Sequence, residues 1–95
     1  MPRVRVTRPK WIRQELRRKE LLASLRQLAC NAALYHARGK TVDADAADFM
    51  LPHRANDCRR AGATEYHIRR ALREGADRAA EILRASPVDS PGHTA

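Results

Sequence analysis

The sequence predicts an all-α fold, a small helical bundle led by a long N-terminal helix. Three observations carry that expectation. Apolar residues recur at intervals of three and four through residues 11–85. Nothing in that range alternates apolar and polar residues as a half-buried strand does. Glycine is scarce, and Gly39 and Gly62 fall where periodic segments end.

The first helix opens near Pro9, since proline suits a first turn. Leu21, Leu25, Leu28, Ala32 and Tyr35 form one helical face, which Leu22, Ala29, Ala33 and Ala37 widen. Trp11, Ile12 and Leu16 begin an earlier, offset stripe, and Arg17, Arg18, Arg26 and Arg38 occupy the opposite face. Gly39 is the expected C-cap, with His36 and Arg38 in the last turn. A bend is expected near residues 17–20. Asp43 or Asp45 is the expected cap of the next segment, whose apolar content comes from Phe49, Met50 and Leu51. Pro52 disfavours helical geometry at Leu51, so this segment reads as two short helices, 44–51 and 53–61, or as one kinked helix. Thr64 caps the last helix, although His67 stands where a capping box has Glu or Gln. Ile68, Leu72, Ala76, Ala79, Ile82 and Leu83 carry one stripe to its end. Gly75 lies on that stripe. The unbroken periodicity favours continuation through it, with a close helix contact there.

Ninety-five residues make one small domain, too short for a two-domain enzyme. Residues 1–10 read as a basic flexible arm with Arg3, Arg5 and Arg8, residues 11–85 as the helical domain, and residues 86–95 as a disordered tail. There is no membrane-spanning apolar run and no apolar secretory segment, so a cytoplasmic location is expected. Cys30 and Cys58 are too few for a disulfide framework. His53, Cys58, His67 and Cys30 lack zinc-ligand spacing. No phosphate loop, nucleophile elbow or paired carboxylates appear, so neither enzymatic activity, nor a cofactor, nor a small-molecule substrate is expected.

The net charge is +8, and 16 of the 19 bases are arginine. A pI of about 10.7 is the electrostatic footprint of a nucleic-acid binder. Solvated helix faces in an Arg- and Ala-rich chain are the plainer explanation of the same charge. Residues 53–75 favour the first. They read as helix, short turn, helix, with small Cys58 at the crossing, Gly62 in the turn, and Ile68, Ala71 and Leu72 directed inward.

The stretch Gly62-Ala63-Thr64-Glu65-Tyr66-His67-Ile68-Arg69-Arg70-Ala71-Leu72 resembles the turn and recognition helix of phage Cro-type repressors. Asp57 departs from that family's pattern, which has an apolar residue there. The resemblance spans about residues 54–75 and implies a helix-turn-helix with its recognition helix at about 64–73. It implies base contacts from Thr64, Glu65, Tyr66, Arg69 and Arg70. Arg73 shares their face, and Arg59 and Arg60 end the preceding helix, placed to grip phosphate. The arm residues Arg3, Arg5 and Arg8 suit a minor groove. The expected function is sequence-specific binding of double-stranded DNA by a small transcriptional regulator, in which the face at residues 21–35 packs on the motif, forms a homodimer, or does both. The rival readings are a helical adaptor on an acidic partner and a non-specific nucleoid or RNA binder.

Overall fold

The computed structural model describes residues 9–85. They form three helices and no strand: α1 (Lys10–Ala37), α2 (Thr41–Arg60) and α3 (Glu65–Ala85). The fold is therefore all-α. The arm residues Arg3, Arg5 and Arg8, and the tail 86–95, lie outside the described residues.

α1 runs unbroken for 28 residues, about 42 Å at 1.5 Å per residue, through the place where a bend was expected. It stops at a Schellman motif. The Lys40 N–H donates to the Tyr35 carbonyl at 2.9 Å and the Gly39 N–H to that of His36 at 3.2 Å, with Gly39 at φ 70°. This reverses the chain in three residues, and α2 returns antiparallel along α1. Two contacts mark the register: Arg54 Nη1 donates to Ser24 Oγ at 2.7 Å, and His36 Nε2 lies 2.7 Å from Asp48 Oδ2.

One expectation for α2 is corrected and one is decided. It begins at Thr41, with Lys40 at the cap position and no side-chain cap, so Asp43 falls in the first turn and Asp45 just beyond it. Of the two readings at Pro52 the single helix stands, 20 residues with the proline inside it. Proline removes the hydrogen bond to the Asp48 carbonyl. Leu51, Ala55 and Cys58, spaced by four and three, hold the helix against the rest of the fold across that gap. Phe49 and Met50, which supply much of its apolar content, are exposed. The inner face is made instead by Ala44, Ala47, Ala55 and Cys58.

α3 runs alongside α1 in the same direction, and α2 and α3 scarcely touch each other. Small residues make this possible. Ala71, Gly75 and Ala79, four apart on α3, are buried, as are Ala29, Cys30 and Ala32 on α1. A Cβ at Gly75 would stand 2.3 Å from the Arg26 carbonyl oxygen and 2.7 Å from Ala29 Cβ. The helix continues through Gly75 because α1 occupies the space a side chain would need.

The core sits where all three helices meet near the α2–α3 turn. Leu25, Ala55, Cys58, Ala63, Ile68 and Ala71 form it, with Leu21, Leu22, Leu51 and Leu72 around them. Leu25 and Cys58 are the largest side chains removed completely from solvent. Of the two readings of this face of α1, the structure shows intrachain packing: Leu25 and Ala32 are buried, and Leu21, Leu28 and Tyr35 are half-buried.

Candidate nucleic-acid interface

The connection between α2 and α3 comprises residues 61–64 and is held by its own hydrogen bonds. The Gly62 N–H donates to the Arg59 carbonyl at 3.0 Å and the Ala63 N–H to that of Cys58 at 2.9 Å. This is a second Schellman motif, with Gly62 at φ 96°, where a side chain would be strained. Its partners Cys58 and Ala63 are both buried, so the motif is fastened to the core. Thr64 caps α3. Its Oγ1 accepts from the His67 N–H at 3.2 Å and lies 2.9 Å from His67 Nδ1. The histidine thus completes a local bond with the threonine hydroxyl where a glutamate would have reached the backbone.

Across this turn Arg59 and Glu65 form a two-pronged ion pair. Arg59 Nε donates to Glu65 Oε2 at 2.6 Å and Nη2 to Oε1 at 3.0 Å, while Nη1 donates to Asn56 Oδ1 at 2.6 Å. Both residues were expected to touch DNA; in the free chain they engage each other and brace the turn. The guanidinium hydrogen bonds hold the Glu65 carboxyl below its ordinary range, and the carboxylate raises the Arg59 guanidinium in turn. Glu74 is likewise lowered, first by Arg26 and then by Arg70.

These shifts have a sign. A carboxyl whose folded pKa is depressed stabilises the fold above its unfolded value, about 4.3 for Glu, and that contribution is lost as pH falls through the depressed folded value. Thermal melts should therefore show the midpoint falling as pH drops below about 5. Glu65→Gln should melt lower than wild type at pH 7 and converge on it at pH 2–3. A constant gap between the two down to that acid limit would show that the pair does not stabilise the turn.

The outer face of α3 beyond the turn carries Tyr66, Arg69, Arg70 and Arg73, all exposed and directed away from Ile68 and Ala71. They line a shallow concavity with Glu74. Tyr66 is 63% exposed, with its ring edge-on to His67. Arg70 is tied to Glu74 at 3.3 Å, and Glu74 also receives Arg26 of α1 at 3.3 Å. Arg69 leans on the Glu65 carbonyl at 3.4 Å. Among the described residues neither Arg69 nor Arg73 forms an ion pair, although the Arg69 charge is close enough to Glu65 to help lower that carboxyl.

A second groove lies at the other side of the turn, lined by Gln14, Arg17, Asp57, Arg60 and Ala61. Arg60, expected at a phosphate, meets there Arg17 and Gln14 of α1, which sequence reasoning did not select. A usable signal existed. Counting outward from Gly39 along an antiparallel helix pair reaches Arg17 and Arg60 together. Arg18 reaches over the turn itself, its Nη1 3.8 Å from the place of a Gly62 Cβ. Asp57, the departure from the Cro-type pattern, is half-buried and 3.9 Å from Arg54 Nε, so its charge is answered locally.

The result is a polarised molecule. Residues 10–20, 54–60 and 65–73 converge on the α2–α3 turn and carry eleven bases against four acids. The remaining described residues carry five bases against six acids, including Asp43, Asp45 and Asp48 at the start of α2. No protein family, curated protein or solved structure matches this chain. Among the described residues no helix is long and apolar enough to cross a membrane.

Proposed function

We propose that the chain binds double-stranded DNA with a sequence preference, as a small transcriptional regulator. The end of α2, the turn and the first half of α3 act as a helix-turn-helix. The observation that carries the reading is the segregation of charge to the end where this turn sits. A base-rich end placed around a rigid turn concentrates an electropositive field where a polyanion would dock.

The parts divide by chemistry. Arg69 and Arg73, held in no ion pair, can offer a two-pronged fork to guanine O6 and N7. Tyr66 and Thr64, at the leading end of α3, stand where the first turn of a recognition helix meets base edges. Arg17, Arg18 and Arg60 beside the turn grip phosphate and set the register, as do Arg3, Arg5 and Arg8 if the arm follows the duplex. Arg59 and Glu65 keep the turn rigid, and Glu74 steers Arg70.

Selection from a random duplex pool, followed by competition binding at several salt concentrations, tests the proposal. The expected result is enrichment of one sequence. On that sequence the logarithm of affinity should fall with the logarithm of salt by about 0.9 for each phosphate contacted. A steep salt dependence without enrichment would make the chain a non-specific nucleoid or RNA binder. Absence of duplex binding even at about 50 mM salt, where phosphate contacts are strongest, would leave the acidic-partner adaptor in its place.

A further inference from the structure

α1 outruns both helices that pack on it. Gly75 of α3 lies against Arg26, Ala29 and Cys30, so Glu65, ten residues earlier in a helix of the same direction, stands level with residues 16–20 of α1. Arg60, the last residue of α2, meets Arg17. Residues 10–16 therefore project beyond the turn, by about 10 Å at 1.5 Å per residue.

Trp11 lies on this projection. It is in line with Arg18, Leu22, Leu25 and Ala29, at successive spacings of seven, four, three and four, and that line faces the turn and the core. An indole on the inward line of a helix is ordinarily buried. Here it is 65% exposed, because the line has passed the ends of α2 and α3.

Its surroundings are basic. Lys10, Gln14 and Arg17, spaced by four and three, form the neighbouring line, which runs into the groove with Arg60. Of the two acids in residues 10–20, Glu15 is paired with Arg18 at 3.7 Å and with Lys19 at 3.8 Å, and Glu20 falls on the opposite side of the helix from Trp11. The first turn of α1 holds Lys10 and Arg13 and no acid. Bases there oppose the helix dipole, so stability of the helix does not account for them. A line of phosphate donors beside an exposed ring matches a polymer in which phosphates alternate with apolar-faced sugars.

We propose that the projecting end of α1 clamps the sugar–phosphate backbone bordering the groove that α3 enters. Lys10, Gln14 and Arg17 hold phosphates, and the Trp11 ring covers a deoxyribose, with Nε1–H donating to a phosphate oxygen. The inference rests on the proposed duplex binding and adds a contact to it. The dimensions agree. Trp11 stands seven residues, about 10 Å, beyond Arg18 at the turn, and a major groove is about 12 Å wide. An α3 whose leading end lies in the groove thus leaves the projection over the bordering strand.

Fluorescence of the full chain tests the proposal, since Trp11 is its one tryptophan. Binding is followed separately, by the anisotropy of a dye on the duplex. The free chain should emit as a water-exposed indole does and be open to acrylamide quenching. Saturating duplex should change that emission and cut acrylamide access severalfold. Trp11→Ala should keep the melting temperature and weaken binding to selected and unrelated duplexes alike, about tenfold. Its salt slope should stay that of wild type, because a neutral ring releases no counterions. Trp11→Phe keeps a ring without the N–H and should recover part of the loss. Duplex binding with unaltered emission and acrylamide access overturns the proposal, as does a Trp11→Ala chain that binds as wild type does. A loss confined to the selected sequence places Trp11 at a base and overturns the backbone contact. Emission that shifts on anionic phosphatidylserine vesicles but not on duplex makes a lipid surface the occupant, and emission that shifts with chain concentration in the absence of DNA makes it a second copy. No anisotropy change with any duplex refutes the DNA reading itself, and the clamp with it.

Discussion

Replacing Gly75 with alanine should lower the melting temperature by about 10 °C or more, although alanine is the better helix former. The propensity gain is about 1 kcal/mol. Against it stands geometry. The new Cβ would meet the Arg26 carbonyl oxygen at 2.3 Å, Ala29 Cβ at 2.7 Å and the Cys30 nitrogen at 3.0 Å. Two of those three atoms are backbone, so no side-chain rotation relieves them, and α1 and α3 must separate. Overpacking a tight interior costs about 1–3 kcal/mol, and parting two helices loosens the neighbouring Ala71 and Ala79 contacts as well. A net loss of about 2 kcal/mol is expected, a large share of a small domain's stability. The double variant Ala29→Gly/Gly75→Ala removes one of the three clashes and should recover only part of the loss. Gly39→Ala is the control. Nothing lies within 4 Å of its Cβ position, so only the strain at φ 70° remains, about 1 kcal/mol. A Gly75→Ala variant melting at or above wild type would mean that the two helices are not in the close contact described.

Much of this fold is legible in the chain because its signals are local. The stripe from Leu21 to Tyr35, the glycines at 39 and 62 and the threonine at 64 each act within a few residues, and each is found in its expected role. The periodicity through Gly75 is also local, and it favoured the continuous helix. What the sequence could not supply is the identity of the atoms that exclude a side chain at Gly75, because they belong to a helix 45–49 residues away. Pro52 left two readings open for the complementary reason. Its local cost is real, but packing of Leu51, Ala55 and Cys58 on both sides of it outweighs one missing hydrogen bond. Size and hydrophobicity do not tell which way Phe49 faces; the helix phase set by Ala44, Ala47, Ala55 and Cys58 turns it to solvent. Alanine and cysteine define the inner face because α2 approaches α1 closely, and a chain read by its largest apolar residues inverts that helix.

The candidate site was legible in position more than in role. The residues expected on the outer side of α3 are exposed there together. Residue type alone, however, gives every arginine the same meaning. The structure separates them by their partners: Arg59 is held by Glu65 and Asn56, Arg70 by Glu74, while Arg69 and Arg73 are in no ion pair. The Arg17–Arg60 groove required the register of two antiparallel helices, which follows only once the turn at Gly39 is known to be tight.

That separation sharpens the test of DNA readout. Arg69→Ala and Arg73→Ala remove exposed guanidiniums that hold no carboxylate, so the melting temperature should hardly move. Each should weaken binding to the preferred duplex about 10- to 100-fold and relax the preference at one base pair, as loss of a two-pronged guanine contact does. The double variant should lose the two effects combined, if the positions they read are separate. Arg70→Ala should cost less than either, because its guanidinium must leave Glu74 to reach DNA. Arg17→Ala and Arg60→Ala should weaken all duplexes about equally and make the salt slope shallower by about 0.9 each, the mark of a phosphate contact. Arg84→Ala, at the far end of α3, should change nothing. If Arg69→Ala and Arg73→Ala bind every duplex as wild type does while Arg17→Ala and Arg60→Ala do not, the chain holds the backbone only and reads no sequence through α3. If all four bind as wild type does, α3 and the turn are not the DNA surface.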